Sequence, residues 1–298
     1  MSQFFELTLS GLSLGCIYAL LAMGFVIVFK ATNVVNFSHA SIVMLGAYLV
    51  ASWNDSLGFF GAMAASAVVC AIAAAALDVI FVAPLRRRAG GTDAVAILTI
   101  ALNILLGTLL ARTVGTDILP SGAPWGAETT SILGARIPQT RIAAAIVAMA
   151  VMGVFYVAFT RSDWGVSMRA AATDPEAAAL MGIRLSYVAA GAWAVAGVLA
   201  AIGGAFFISF PASGVSSSTG LLALAAVPVA VAGGLDSPFG ALIGGLVIGV
   251  AQTLASGYQD HIAFLGRGLG EVIPYAVLFV VLLWRPSGLF GTKEMSRV

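Results

Sequence analysis

Leu7-Thr-Leu-Ser-Gly11-Leu-Ser-Leu-Gly15-Cys-Ile-Tyr18-Ala-Leu-Leu-Ala-Met-Gly24-Phe-Val-Ile-Val-Phe29 carries no charged side chain. As a helix rising about 1.5 Å per residue, it is long enough to cross a hydrocarbon core of about 30 Å. Gly11, Gly15 and Gly24, with Ser13 and Ala19 between them, would let neighbouring helices approach closely, as packing in lipid requires. Six comparable runs follow, near 59–83, 94–111, 141–160, 187–209, 238–256 and 271–284, with shorter ones at 38–53 and 221–233. The pattern predicts an all-α polytopic transmembrane bundle of about eight to nine spans, two of them short or broken, in a single membrane domain over residues 1–298.

Composition agrees. Of 298 residues, 60% are hydrophobic and 9% charged, and the mean hydropathy is +1.04. A soluble domain carries roughly 25% charged residues, so this chain is expected in a lipid bilayer. A net charge of +1, with no basic stripe interleaved with aromatics, excludes a nucleic-acid binder. Cys16 and Cys70 fall inside apolar runs and read as small buried hydrophobes rather than a disulfide or metal site. The N-terminus lacks the positive region of a secretory signal, so the first run is expected as a retained span.

With nine crossings, Lys30, Arg86, Arg87, Arg88, Arg161, Arg169, Arg184, Arg285, Lys293 and Arg297 fall on one side, and Arg112, Arg136, Arg141 and Arg267 on the other. The excess of positive charge marks the cytoplasm, which puts the N-terminus outside and the C-terminus inside. The outer loop from Arg112 to Arg141 offers Trp125 to the interface or to a soluble partner.

Between the fifth and sixth runs lies Arg169-Ala-Ala-Ala-Thr-Asp174-Pro175-Glu176-Ala177-Ala178-Ala179-Leu180-Met181-Gly182-Ile183-Arg184. Asp174 is a good N-cap, Pro175 suits the first helical position, Glu176 opposes the positive helix end, and Gly182 stops the helix. On a 100° wheel Ala177, Ala178 and Met181 share one small, apolar face, while Leu180 points elsewhere. So short a helix needs a surface to dock on. Glu176-Ala177-Ala178-x-x-x-Gly182 resembles the EAA loop of ABC importer permeases, which implies a cytosolic coupling loop over 161–187 with Arg169, Asp174, Glu176, Ala177, Ala178, Met181 and Gly182 at its contact with an ATPase.

The other informative stretch is Asn33-Val-Val-Asn36-Phe37-Ser38-His39-Ala-Ser41, polar residues set between apolar runs. Irregular polar backbone at membrane depth is tolerated where it is buried in protein or lines a cavity. Asn33, Asn36, Ser38 and His39 either belong to a substrate pathway or form a cytosolic turn in which Asn36 or Ser38 caps the next helix. Asn103, midway along a span, reads as an interhelical hydrogen-bonding residue or a pore-lining one. Gln252 is a further candidate pathway contact, and Asp236 reads as a helix cap. An internal echo pairs the turn Asn33 to Ser41 with Gly233 to Pro238, each preceding a helix of small residues.

No G-x-x-x-x-G-K-S/T phosphate loop and no H-E-x-x-H zinc motif is present, and the spans are poor in ionisable residues, which argues against a proton-driven carrier. Energy would come from other polypeptides. Gly11-Leu-Ser-Leu-Gly15-Cys-Ile-Tyr18-Ala-Leu-Leu-Ala-Met-Gly24, Asn36-Phe37-Ser-His39-Ala, Met44-Leu-Gly46-Ala-Tyr48, Arg169-Ala with Gly182-Ile183, Gly233-Gly234 with Gly240, and Arg285-Pro286-Ser-Gly288-Leu-Phe-Gly291 together resemble the LivH-type permease of branched-chain amino acid ABC importers. The resemblance runs from the first span to the last. It implies a bacterial inner-membrane permease subunit that is not itself an enzyme and binds no cofactor, ATP and Mg being held by partner subunits. The implied partners are a second permease of LivM type, two ATPase subunits and a soluble periplasmic substrate-binding protein. The competing reading is a stand-alone channel or secondary carrier for small solutes.

Overall fold

The apolar runs become helices that pack around the first of them. The computed structural model describes residues 2–88, 91–122, 124–125, 128–132, 135–209, 214–259 and 268–291. In chain order these form α1 (Ser2–Thr32), α2 (His39–Leu77), a π-helical turn (Asp78–Val82) running into α3 (Ala83–Arg87), α4 (Thr92–Val114), strands β1 (Thr129–Ile132) and β2 (Ala135–Pro138), α5 (Gln139–Arg161), α6 (Asp163–Thr173), α7 (Pro175–Leu180), α8 (Leu185–Phe207), α9 (Thr219–Ala223), α10 (Ala226–Gly233), α11 (Pro238–Gly257) and α12 (Leu269–Trp284). Among the described residues six helices are long and apolar enough to cross a membrane: Gln3–Thr32, His39–Arg87, Thr92–Val114, Gln139–Arg161, Leu185–Phe207 and Pro238–Gly257. Thr219–Gly233 and Leu269–Trp284 are shorter. Arg267, Lys293, Arg297 and the first part of the Phe210 to Thr219 loop (210–213) lie outside the described residues.

α2 is a hairpin rather than a rod. A straight helix would hold Ile42 and Cys70 roughly 42 Å apart, yet the Cys70 thiol lies 3.9 Å from the Ile42 carbonyl, and the Ser66 hydroxyl donates to the Gly46 carbonyl at 3.0 Å. The chain reverses at Gly58, whose φ of 68° is easily adopted only without a Cβ. The predicted runs 38–53 and 59–83 are the two limbs of this hairpin.

The helix ends sort onto two faces. On one, the Lys30 ammonium donates to the Asp236 carbonyl at 2.9 Å, Lys30 and Arg169 lie 5.8 and 5.3 Å from the centroid of the Phe159 ring, and the backbone N–H groups of Leu289 and Phe290 donate to Ala232 and Gly233. On the other, the Arg136 N–H donates to Glu6, Arg141 meets Ser10, and Leu119 and Val215 exchange backbone hydrogen bonds. The described cations divide between these faces as the charge pattern predicted. Trp125 packs on Phe59, Phe60 and Phe206 with centroids 5.6 to 6.1 Å apart, tying the loop after α4 to the α2 hairpin. That loop also holds a departure from the all-α expectation, the antiparallel pair β1–β2, in which β-branched Thr130 faces Ile137.

α1 is the hub. Of its most apolar stretch 89% is buried, against 50% or less for each of the other five long helices. Gly11 and Gly15 lie directly on Gly245, Leu246, Gly249 and Val250 of α11; a Cβ on Gly11 would stand 2.6 Å from the Val250 Cα, and one on Gly15 2.7 Å from the Leu246 Cα. The same device joins α2 to α8, where a Cβ on Gly46 would stand 2.6 Å from the Ala201 Cα. In lipid, association rests on such backbone proximity rather than on hydrophobic burial. Cys16 and Cys70 are buried free thiols, as expected.

Turn bonds of one kind recur at three helix starts. Gly233 to Pro238 is a tight turn at the Lys30 face, clamped by Leu289 and Phe290. Its helix cap is Ser237, which accepts from the Gly240 N–H at 3.0 Å, rather than Asp236. Ser216–Thr219 carries turn bonds of the same kind as the first break. In one, the His39 N–H donates to the Asn36 carbonyl and Ile42 to Ser38; in the other, Thr219 donates to Ser216 and Leu222 to Ser218. α1 runs toward the Lys30 face and α8 away from it.

A projecting helix and a buried polar break

α6 and α7 stand at the Lys30 face. α6 crosses the end of α5 closely, with Gly165 seated directly on the Phe159 carbonyl, where no side chain would fit. The Arg169 guanidinium donates to the Phe159 carbonyl, and to that of Thr160 at 3.3 Å, neutralising the negative end of α5. Arg169 thus turns inward and holds the projection in place instead of offering itself to a partner.

α7 is built as its sequence predicts. One Asp174 carboxylate oxygen accepts from the N–H groups of Glu176 and Ala177, both at 3.0 Å. Pro175 occupies the first turn, and Gly182, at φ 87°, ends the helix while the Ile183 N–H closes on the Ala178 carbonyl at 3.0 Å. The predicted face is corrected. Ala178 is buried against the bundle, whereas Leu180 and Met181 are 89% and 84% exposed, the most exposed large apolar residues among those described. The helix stops at Leu180, and Met181 at φ −79°, ψ 6° is already its cap, so the 100° wheel no longer applies to it. Glu176 and Ala177 are exposed beside this tip. Next to it opens a cavity of about 600 Å³ lined by Trp164, Ser167, Met181, Gly182, Arg184 and Tyr187.

The polar break is buried inside the bundle. His39 sits against Gly24, which is about 12 Å along α1 from Thr32. Asn36, Ser38 and His39 are fully buried. The Asn36 side-chain carbonyl accepts from the Ser38 N–H (3.1 Å) and hydroxyl (2.6 Å), closing the turn that leads into α2, whose N-cap position is Ser38. His39 meets the Phe25 ring edge-on at 4.7 Å. α4 completes the knot: the Phe37 N–H donates to the Thr99 hydroxyl at 3.3 Å, the Ser41 N–H to the Asn103 side-chain oxygen at 3.1 Å, and the Ser41 hydroxyl to the Asn103 carbonyl at 2.8 Å. Asn33, at φ 54°, is exposed at the mouth of the break. Thr99 and Ser41 were not singled out in the sequence; polar residues at matching depth on two neighbouring spans were the only available signal. Gln252 stands apart, half-buried on α11 beside Tyr18.

Asn103→Leu is expected to strand the Ser41 N–H, while the Ser41 hydroxyl keeps the Asn103 backbone carbonyl, and to cost about 1–2 kcal/mol. Thermal unfolding in detergent measures this, and adding Ser41→Ala should recover none of the loss, because the orphaned donor is a backbone N–H that alanine keeps. Wild-type stability of Asn103→Leu would show that this bond is not what holds α4 to the break. The spacing Gly11-x-Ser13-x-Gly15 matches a hydrolase elbow only in letters: Ser13 lies inside α1 with its hydroxyl on the Leu9 carbonyl at 3.3 Å.

Comparison with known proteins follows the same lines. The family described as branched-chain amino acid transport system permease component matches residues 7–282. The high-affinity branched-chain amino acid transport system permease protein LivH of Salmonella typhimurium is 28% identical over 99% of this chain and 98% of its own length. Its Escherichia coli namesake shows the same identity and coverage. BraD of Pseudomonas aeruginosa, a permease protein of the same description, is 27% identical over 99% and 98%.

Proposed function

The chain belongs to the branched-chain amino acid transport permease family, and from that premise we propose that it is the membrane subunit of an ABC importer moving branched-chain amino acids or related small solutes inward across the bacterial cytoplasmic membrane. The observation that carries the coupling is α7, a capped helix presenting Leu180 and Met181 to solvent at the cation-rich face. Two apolar side chains held out this far call for a partner surface. The partners are two ATPase subunits beneath that face, a LivM-type permease beside the bundle, and a soluble binding protein delivering solute to the Trp125 side. ATP and Mg sit on the ATPase subunits. In this reading the N-terminus is outside and the C-terminus cytoplasmic, with 161–187 as the coupling loop of one membrane domain.

Closure of the ATPase pair pulls on α7. α6, fastened to α5 through Arg169 and packed on α1, passes the movement to the hub. The two breaks let α1 move relative to α2, and α8 relative to α9, without rupturing the hydrogen bonds inside either helix. The test is reconstitution in vesicles: leucine uptake is expected only with the ATPase pair, the second permease, the loaded binding protein and ATP all present. Uptake by this chain alone without ATP would replace the proposal with a channel or secondary carrier.

A further inference from the structure

Three helices bring their negative ends to one spot on the Lys30 face. α5 ends at the Phe159 and Thr160 carbonyls, which the Arg169 guanidinium of α6 caps. α10 ends in the turn whose Asp236 carbonyl accepts from the Lys30 ammonium at 2.9 Å, and Lys30 itself stands in the last turn of α1, where a cation suits the helix end. One ring serves both cations. Phe159, buried and stacked on Phe155 with centroids 5.7 Å apart, lies 5.8 Å from the Lys30 nitrogen and 5.3 Å from the Arg169 guanidinium carbon, within range of attraction to each.

The ring is also tied to α7. Phe159 shares a buried cluster with Ile27 of α1, Met168 and Ala171 of α6 and Ala178 of α7, and close-packed side chains pass on displacement instead of absorbing it. Beyond Lys30, α11 meets α1 in two different ways. Gly245 and Gly249 of α11 touch the backbone of Gly11, Gly15 and Ala19, and such interlocked main chains cannot slide. About 16 Å farther along α1 the link is a side chain, Lys30, half-buried and able to leave one carbonyl without breaking any hydrogen bond inside a helix. The turn that it grips carries the chain end with it, since Leu289 and Phe290 donate to Ala232 and Gly233, and the Arg285 guanidinium donates to the Leu289 carbonyl at 2.9 Å.

We infer that Lys30 is a positioning residue for transport. Steadied by the Phe159 ring, it holds the α10–α11 turn against α1; displacement of α6 through α7 draws the ring away and frees the turn, so that α11 swings on its glycine contacts. The inference rests on the importer reading above and adds to it the residues that carry movement from α6 into the last third of the chain.

The assembled complex tests it in vesicles with loaded binding protein, leucine and ATP. Lys30→Met keeps the stem and loses the ammonium, whereas Phe159→Leu keeps apolar bulk and loses the ring face. Each is expected to lower the leucine imported per ATP hydrolysed roughly tenfold, the loss of about one charge-assisted hydrogen bond, with the ATPase pair still co-purifying and Lys30→Arg restoring most of the ratio. The two changes together should lose no more than Lys30→Met alone, because the ring acts through the ammonium. A merely structural role would lower the unfolding temperature and the yield of complex without moving the ratio. In the wild-type complex an amine-reactive reagent, read by peptide mass spectrometry, should label Lys30 faster after trapping with ATP and vanadate than without nucleotide. A wild-type ratio in either variant, an additive double variant, or Lys30 labelling indifferent to nucleotide would each overturn the inference. Should the wild-type complex hydrolyse ATP and carry no amino acid, the importer reading fails, and the labelling of Lys30 still decides whether it lets go of the turn.

Discussion

Replacing Leu180 and Met181 together by aspartate is expected to detach the ATPase pair and abolish ATP-driven uptake. Both side chains are more than four-fifths exposed in the isolated chain, so their burial against a partner would contribute about 1.5–3 kcal/mol each. Losing both weakens docking by roughly a hundredfold or more, since about 1.4 kcal/mol is a factor of ten. The bundle itself should be untouched, because neither side chain packs into it while Ala178, on the inward side, does. Co-purification with the ATPase subunits and uptake in vesicles read the first effect, and thermal unfolding reads the second. Normal uptake by the double variant would remove α7 from the coupling role.

Gly249→Leu is expected to prevent the bundle from forming. The Cβ alone would run into the Gly15 backbone and the Gly11 carbonyl, and backbone on both sides cannot step aside as a side-chain tip could. Overpacking of ordinary cores costs about 1–3 kcal/mol; here three further carbons must fit where the first does not, against a total stability of roughly 5–15 kcal/mol. Membrane-inserted but protease-sensitive protein is the expected readout. A folded Gly249→Leu protein would mean that α1 and α11 are not held at backbone distance.

Much of the architecture could be read from the chain itself. Length and hydropathy located the apolar helices, and the run boundaries at 53 and 59 separated the limbs of the α2 hairpin. Asp174, Pro175 and Gly182 set the ends of α7 because caps and left-handed stops are local chemistry. What escaped depends on the third dimension. Nothing in Asn36 to Ser41 states how far it climbs along α1, since that depth is set by His39 finding room at Gly24. Composition marked Gly233 to Pro238 as a turn but passed over Ser216 to Thr219, whose backbone bonds are of the same kind. Leu180 was passed over because a helical wheel assumes a helix that continues. Arg169 is a charge near a loop in sequence and a clamp on α5 in space.

The burial of α1 bears on how the protein is made. The hub leaves the ribosome first, yet the surface that seals its glycines belongs to α11, completed only after residue 257 is added. At bacterial synthesis rates of about 5–20 residues per second, that leaves roughly 10–50 s in which α1 lies in lipid without its closest neighbour. Nascent chains cut short before α11 would remain permanently in that condition. They are the natural prey of membrane proteases, so loss of the C-terminal quarter should empty the membrane of the whole polypeptide rather than leave a stub.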